Sequence, residues 1–219
     1  MKIDKFAAID IGSNGVRMLI SNVISKSKKK VFFQKNSLIR VPIRLGEDSF
    51  TSGSISDRNL MRLINAINAF KSIMNVHNVT YYKAYATSAL REATNKSYIV
   101  KKVFEDCKIK IEIIDGTKEA KIISKSNIST IISPDTVFLS IDVGGGSTEF
   151  SVMKKGKIIS SRSFRLGTIR LLNNAVSNQV WEEVRNWIDK KTNSYNKITL
   201  LGSGGNINKI FSLSKTKEG

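Results

Sequence analysis

Apolar positions along the chain fall into short strand-like blocks and a few helical stripes. FAAIDI at 6–11 is a compact apolar run that ends in GSNG, and a second run, VRMLISNVI at 16–24, follows at once. This spacing predicts a tight β-hairpin closed by a glycine-bearing turn. VFFQ at 31–34 and IRVPIRL at 39–45 predict further strands. Beyond Ser56 the period changes: Leu60, Leu63, Ile64, Ile67, Phe70 and Met74 share one face of a helix that Ser56 can cap. VTYYKAYAT at 79–87 predicts a strand, ALREATN at 89–95 a loop leading into a helix to about Asp106. IKIEIIDG at 109–116 predicts a strand that stops at its glycine, and Glu119 to about Ser129 a helix.

The pattern then restarts. TVFLSIDVGGG and TEFSVMKKGKIISSRSF repeat the plan of strand, glycine turn, strand. AAIDIGSN at 7–14 and LSIDVGGG at 139–146 share an apolar-apolar-Asp-apolar-Gly core, so Asp10 matches Asp142. This is one duplicated hairpin and not a short-period repeat array. The boundary between the halves is expected near NISTIISPD, at about 127–135, and a last strand, ITLLGSGG at 198–205, enters another glycine turn and then a helix.

Composition narrows the chemistry. The 219 residues are 41% hydrophobic, enough to bury a core in one large or two small domains. No run is apolar and long enough to span a membrane and no secretory leader is visible, so the expected location is the cytoplasm. The single cysteine, Cys107, cannot form an internal disulfide and reads as structural. His77 is the only histidine, which nearly excludes histidine triads and zinc clusters and leaves hydrolysis to carboxylates and a metal.

The net charge of +18 has two readings. One is a polyanionic partner, nucleic acid or a phosphate polymer. The other is compositional, because Lys, Asn, Ile and Ser are the residues an AT-rich genome favours. The lysines are scattered except in KSKKK at 26–30, which reads as a hairpin tip. RNA-binding sheet motifs with exposed aromatics are not visible, so nucleic acid is not expected as a specific partner.

The glycines between Asp142 and Glu149 suggest what the turns hold. Glycine lets backbone approach a ligand closely, and successive N–H groups form a nest for an anion. Phosphate is the natural ligand. The flanking acids repel it, and make sense if a divalent cation lies between, since hard oxygen ligands suit magnesium. The competing reading is a set of ordinary hairpins whose glycines only turn the chain; three such turns in a duplicated frame weigh against it.

These stretches resemble the Ppx/GppA family of exopolyphosphatases and guanosine pentaphosphate phosphohydrolases, within the actin-like ATPase superfamily. AAIDIGSNGVRMLI resembles the family's first phosphate loop, YATSALREATN its Thr-x-x-x-Arg segment, IEIIDGTKEAKII the segment with the catalytic glutamate, and IDVGGGSTEF the second phosphate loop. SFRLGTIRL and LGSGGNINKI match later blocks, so the resemblance covers almost the whole chain.

The resemblance implies an α/β, duplicated ribonuclease-H-like two-domain fold, with domains at 1–130 and 131–219. By matched position, Glu119 is the general base that activates water. Asp142 and Glu149 position metal and water, and Asp10 shares that network. Gly12, Ser13 and Asn14 bind phosphate in the first loop, Gly144, Gly145, Gly146 and Ser147 in the second, and Gly204 and Gly205 line the third turn. Arg91 is a phosphate clamp, and Mg2+ or Mn2+ is the implied cofactor. Alternatives remain for two of these: Glu119 as a first-turn acid favoured by the helix dipole, and Arg91 in a surface ion pair.

The sequence also departs from the family pattern. Gly15 stands where a small hydroxyl residue is usual, Lys118 where many members have a second acid, and Asn206 where threonine is usual. The family's two-domain unit normally continues past the point where this sequence stops. The second domain is therefore expected to be incomplete, with exposed apolar surface that a homodimer could cover. The leading expectation is release of terminal phosphate from polyphosphate or guanosine pentaphosphate. The alternative is a catalytically impaired phosphate- or nucleotide-binding relic or sensor. An actin-like ATPase or sugar kinase, and a nucleic-acid binder, fit less well.

Overall fold

The computed structural model describes residues 2–27, 30–125, 136–155 and 157–214. They form two compact units, Met1–Ile114 and Asp115–Gly219, each built on its own mixed sheet.

In the first unit, β1 (Lys2–Ile11), β2 (Val16–Ser27) and β3 (Lys30–Val41) form an antiparallel meander. There follow α1 (Leu45–Thr51), α2 (Asp57–Val76), β4 (Tyr81–Ala86), α3 (Ser88–Glu92), α4 (Lys96–Cys107) and β5 (Ile111–Ile113). The sheet order is β3-β2-β1-β4-β5, with β4 parallel to β1 and β5 parallel to β4. Strand alternation turns Ala7, Ile9 and Ile11 of β1 and Val16, Met18 and Ile20 of β2 to one face. That face buries against the predicted stripe of α2 and against Ile99, Val103 and Cys107 of α4. Each large side chain so buried contributes about 1.5–3 kcal/mol. Ser56 caps α2 as expected, its hydroxyl accepting from the Asn59 amide at 3.3 Å.

Three local expectations change here. VFFQ and IRV belong to a single strand, β3, which ends before Pro42, a residue with no N–H to give a ladder. The rest of IRVPIRL turns into α1 instead. ALREATN is not wholly loop, since Ser88–Glu92 is already helical and only 93–95 separates α3 from α4. Lys28 and Lys29 of KSKKK lie outside the described residues.

The second unit contains α5 (Gly116–Lys125), β6 (Val137–Val143), β7 (Thr148–Lys154), β8 (Lys157–Phe164), α6 (Thr168–Leu172), α7 (Asn178–Thr192), β9 (Ile198–Ser203) and α8 (Gly205–Ser214). Its sheet order, β8-β7-β6-β9, repeats β3-β2-β1-β4 strand for strand, with β9 parallel to β6. The duplicated ribonuclease-H-like architecture is thus present in both sheets. The core gathers Leu139, Phe150, Val152, Phe164, Val184 and Trp187. The rings of Phe150 and Phe164 meet edge-on, with centroids 5.5 Å apart, and Trp187 of α7 closes on both. α5 packs on β7 and β8.

The 130/131 boundary expected from the sequence lies outside the described residues; the compact units divide at 114/115, which places α5 and Glu119 with the second sheet. α8 buries none of its side chains, and Leu200, Ile210, Phe211 and Leu213 are exposed. Among the described residues no helix is long and apolar enough to cross a membrane.

Candidate active site

The two hairpins that carry Asp10 and Asp142 close in the same way. Each turn spans four residues between paired strands, 12–15 after Ile11↔Val16 and 144–147 after Val143↔Thr148. In each, the first amide returns to the fourth carbonyl: Gly12 N donates to Gly15 O at 3.1 Å, and Gly144 N to Ser147 O at 2.9 Å. The sequence repeat is therefore a repeat of backbone geometry.

Around the first turn, Asp10 pairs across the ladder with Arg17, whose guanidinium lies 3.9 Å from its carboxylate. Both side chains are half exposed, so this pair adds little stability. Ser13 is buried, with its hydroxyl 2.9 Å from that of Ser88 and its carbonyl accepting from Gly46 N at 2.9 Å. Asn14 sits half-buried beside it. Gly15 has little room for a side chain, because a Cβ there would lie 3.1 Å from Val41 O. Arg91 lies on α3, and its Nη1 donates to Ile114 O at 2.6 Å. One N–H of the guanidinium fork is thus spent on holding the end of β5's segment.

The second unit brings more of the candidates together. Asp142 and Glu149 are direct cross-strand partners, so their side chains share a face. Pairing extends the row: Ser163 of β8 faces Glu149, and Ser203 of β9 faces Asp142. Glu149 is only 5% exposed, and its Oε1 accepts from Ser147 Oγ and Ser163 Oγ, each at 2.7 Å. Two hydroxyls therefore hold a buried carboxylate beside the glycine loop. The Ser203 Oγ is buried with no hydrogen-bond partner among the described residues.

Glu119 is in the first turn of α5. Asp115 caps this helix, its Oδ1 accepting from Lys118 N at 2.7 Å, and Glu119 N donates to Asp115 O at 3.0 Å. The helix start lies hard against β8: a Cβ on Gly116 would stand 2.5 Å from Ser163 Cβ. Gly116, Ser163 and Glu149 thus form a chain of contacts from the helix of Glu119 to the carboxylate row.

The third turn is unequal in its two glycines. Gly204 has φ +95°, and a Cβ there would lie 2.8 Å from Asp142 Oδ1. Gly205 has open space around it. Asn206 Nδ2 donates to Val143 O at 3.2 Å, so this departure from threonine ties α8 to the second loop.

Sequence reasoning missed one buried charge, Arg170, which is 5% exposed and donates from Nε to Gly146 O at 2.6 Å. It lies within SFRLGTIRL, but nothing in that string distinguishes it from the exposed Arg165.

Among the described residues no cluster of three or more His, Cys, Asp or Glu side chains is poised around one point. Two paired carboxylates still suit magnesium, which often takes one or two protein carboxylates and completes its shell with water and substrate phosphate. The unpartnered Ser203 hydroxyl beside Asp142 fits such a hydrated ion.

Comparison with known proteins bears on the family and the fold. A model of the Ppx/GppA phosphatase family matches residues 23–218. A bifunctional 3-dehydroquinate synthase/phosphatase of Fusobacterium nucleatum is 32% identical over 240 residues, covering 99% of this chain and 36% of that protein. Exopolyphosphatase 2 of Mycobacterium tuberculosis is 26% identical over 176 residues, covering 78% of this chain and 54% of that protein. The crystal structure of an exopolyphosphatase from Cytophaga hutchinsonii superposes with a TM-score of 0.76 at 24% identity, covering 97% of this chain and 72% of that one. The chain spans 36% and 54% of the lengths of these two sequence relatives. With the duplicated loops, the carboxylate row and the family match across most of its length, the chain belongs to the Ppx/GppA phosphatase family.

Proposed function

We propose that this chain is an exopolyphosphatase-like phosphohydrolase that releases terminal phosphate from inorganic polyphosphate or guanosine pentaphosphate. The observation that carries this reading is the buried Glu149, held by Ser147 and Ser163 directly opposite Asp142 and beside the 144–147 loop. Two paired carboxylates, one of them held by hydroxyls, beside a run of backbone N–H groups suit a phosphate that arrives with its cation. The Fusobacterium relative is named a phosphatase and the Mycobacterium relative an exopolyphosphatase, which supports the reaction class.

In this reading Glu119 takes a proton from the attacking water. The amides of Gly145, Gly146 and Ser147 hold the phosphoryl oxygens and stabilise their developing charge. Asp142 and Glu149, paired across β6 and β7, would hold magnesium or manganese. Gly204 keeps space beside Asp142. The bound cation supplies neutralisation of phosphate charge. The oxygen of the leaving phosphate chain departs as the water oxygen bonds to phosphorus. A long polyanion also suits the net charge of +18, which makes polyphosphate the preferred substrate. A single cysteine, free and buried, is in keeping with the cytoplasm.

Lys118 favours a second reading, a phosphate-binding protein with impaired turnover, because its cation shares the first turn of α5 with Glu119 and would lower that base's proton affinity. Phosphate release from long-chain polyphosphate, guanosine pentaphosphate and ATP, with magnesium and beside Glu119→Ala, separates the two. Release that needs both metal and Glu119 supports the hydrolase. Tight polyphosphate binding without release, identical in the variant, supports the binding protein.

A further inference from the structure

Four successive carbonyls of the second loop accept hydrogen bonds, three of them from α6. Thr168 N donates to Gly144 O at 3.1 Å, Ile169 N to Gly145 O at 2.8 Å, and Arg170 Nε to Gly146 O at 2.6 Å, while Ser147 O takes the Gly144 amide. The first three donors are consecutive residues at the start of α6. Gly167, which precedes them, is packed so closely that a Cβ there would lie 2.3 Å from Gly145 O.

A trans peptide points its carbonyl and the following N–H in opposite directions. Anchoring the carbonyls of residues 144, 145 and 146 to α6 therefore aims the amides of Gly145, Gly146 and Ser147 away from α6. A row of N–H groups so directed is an anion nest. The third anchor differs from the other two. It comes from a buried guanidinium, whose charge-assisted bond is stronger than a neutral one and whose cation lies directly behind the nest. In the first loop one carbonyl is anchored in the same manner, Ser13 O by Gly46 N at the start of α1, while Gly15 O takes the Gly12 amide.

We propose that Arg170, with the Thr168 and Ile169 amides, is a clasp that holds the second loop in its anion-accepting orientation before any ligand arrives. Arg170 is a positioning residue: it acts through the Gly146 peptide and does not itself contact phosphate. The inference rests on the reading of 144–147 as a phosphate loop. It adds that the binding free energy of that loop depends on preorganisation from behind.

The test uses the isotope-labelled full chain, Arg170→Met and Arg170→Ala. Methionine keeps the bulk of the buried side chain without its donors, and alanine removes both bulk and donors and leaves room for water. Amide order parameters are measured without ligand, and affinity for inorganic tripolyphosphate with magnesium is measured by calorimetry. In the wild type the amides of Gly145, Gly146 and Ser147 should be as ordered as β6 and β7, at about 0.85. They should fall below about 0.6 in either variant while the strands keep their values. Affinity should fall at least tenfold in both. Wild-type order at these amides in a folded variant would overturn the clasp, and if Arg170→Met does not fold, Arg170→Ala decides alone. A wild type that binds no tripolyphosphate would overturn the phosphate-loop reading instead, and the order parameters would still decide the clasp.

Discussion

Ser163 does two things for Glu149: its hydroxyl donates to Oε1 at 2.7 Å, and its Cβ leaves no room for a side chain on Gly116. The carboxylate and the helix of Glu119 are positioned by the same residue on β8. Gly116→Ala would put a Cβ 2.5 Å from a backbone-bonded atom that cannot swing aside. We expect a loss of about 1–3 kcal/mol, as for overpacking, and a larger proportional loss of phosphate release because α5 must shift. Ser163→Gly in the same chain should restore much of the stability but not the activity, since Glu149 then lacks a donor. Thermal unfolding and phosphate release on the single and double variants check this.

Gly204 and Gly205 are neighbours with opposite expectations. Gly204→Ala forces a side chain into left-handed backbone at φ +95° and against Asp142 Oδ1. It should cost about 1–2 kcal/mol and weaken metal-dependent phosphate release. Gly205→Ala meets no atom within 4 Å at the start of α8 and should be neutral or stabilising by up to about 1 kcal/mol. Urea unfolding of the two variants side by side distinguishes them.

Asp48 gives the first unit an acid-sensitive joint. Burial alone would raise its carboxyl, but hydrogen bonds from the Ser56 hydroxyl and amide, then from Asn59, with the charge of Arg58, hold it below the ordinary value of 3.8. All three bonds converge on Oδ2, at 2.6, 2.8 and 2.9 Å. A carboxyl lowered in the folded state contributes stability above its unfolded value and loses it as pH falls toward the folded one. Asp48→Asn should therefore be clearly less stable than wild type at pH 7, and the gap should narrow below about pH 4. Urea midpoints at the two pH values read this directly.

Cys107 is fully buried under α2, its Sγ 3.7 Å from Ile64 O, and burial pushes its thiol up. Only the thiolate is nucleophilic, so native protein should resist iodoacetamide at pH 8, with labelling appearing on unfolding. Mass spectrometry in native buffer and in urea checks both halves.

How much of this was legible in the sequence depends on the range of the contacts involved. The α2 stripe and its Ser56 cap were readable because helix periodicity is local. Helix α7 carries the same kind of local signal, Val180, Val184, Trp187 and Ile188, between two glycine motifs. α1 is only seven residues long and follows Pro42, too short for a stripe to declare itself.

The sequence by itself determined the duplicated Asp-Gly hairpins, and with them the family, because a hairpin's register depends on the residues at its own turn. Asp10 matching Asp142 was visible from that pattern alone. Tertiary structure decided the rest: that Glu149 is buried under two hydroxyls, that Gly204 guards Asp142 while Gly205 does not, that Glu119 belongs with the second sheet, and that Arg170 holds Gly146. Each of these joins residues from different elements. A chain's local pattern specifies which face a side chain takes, but only packing specifies what it meets there.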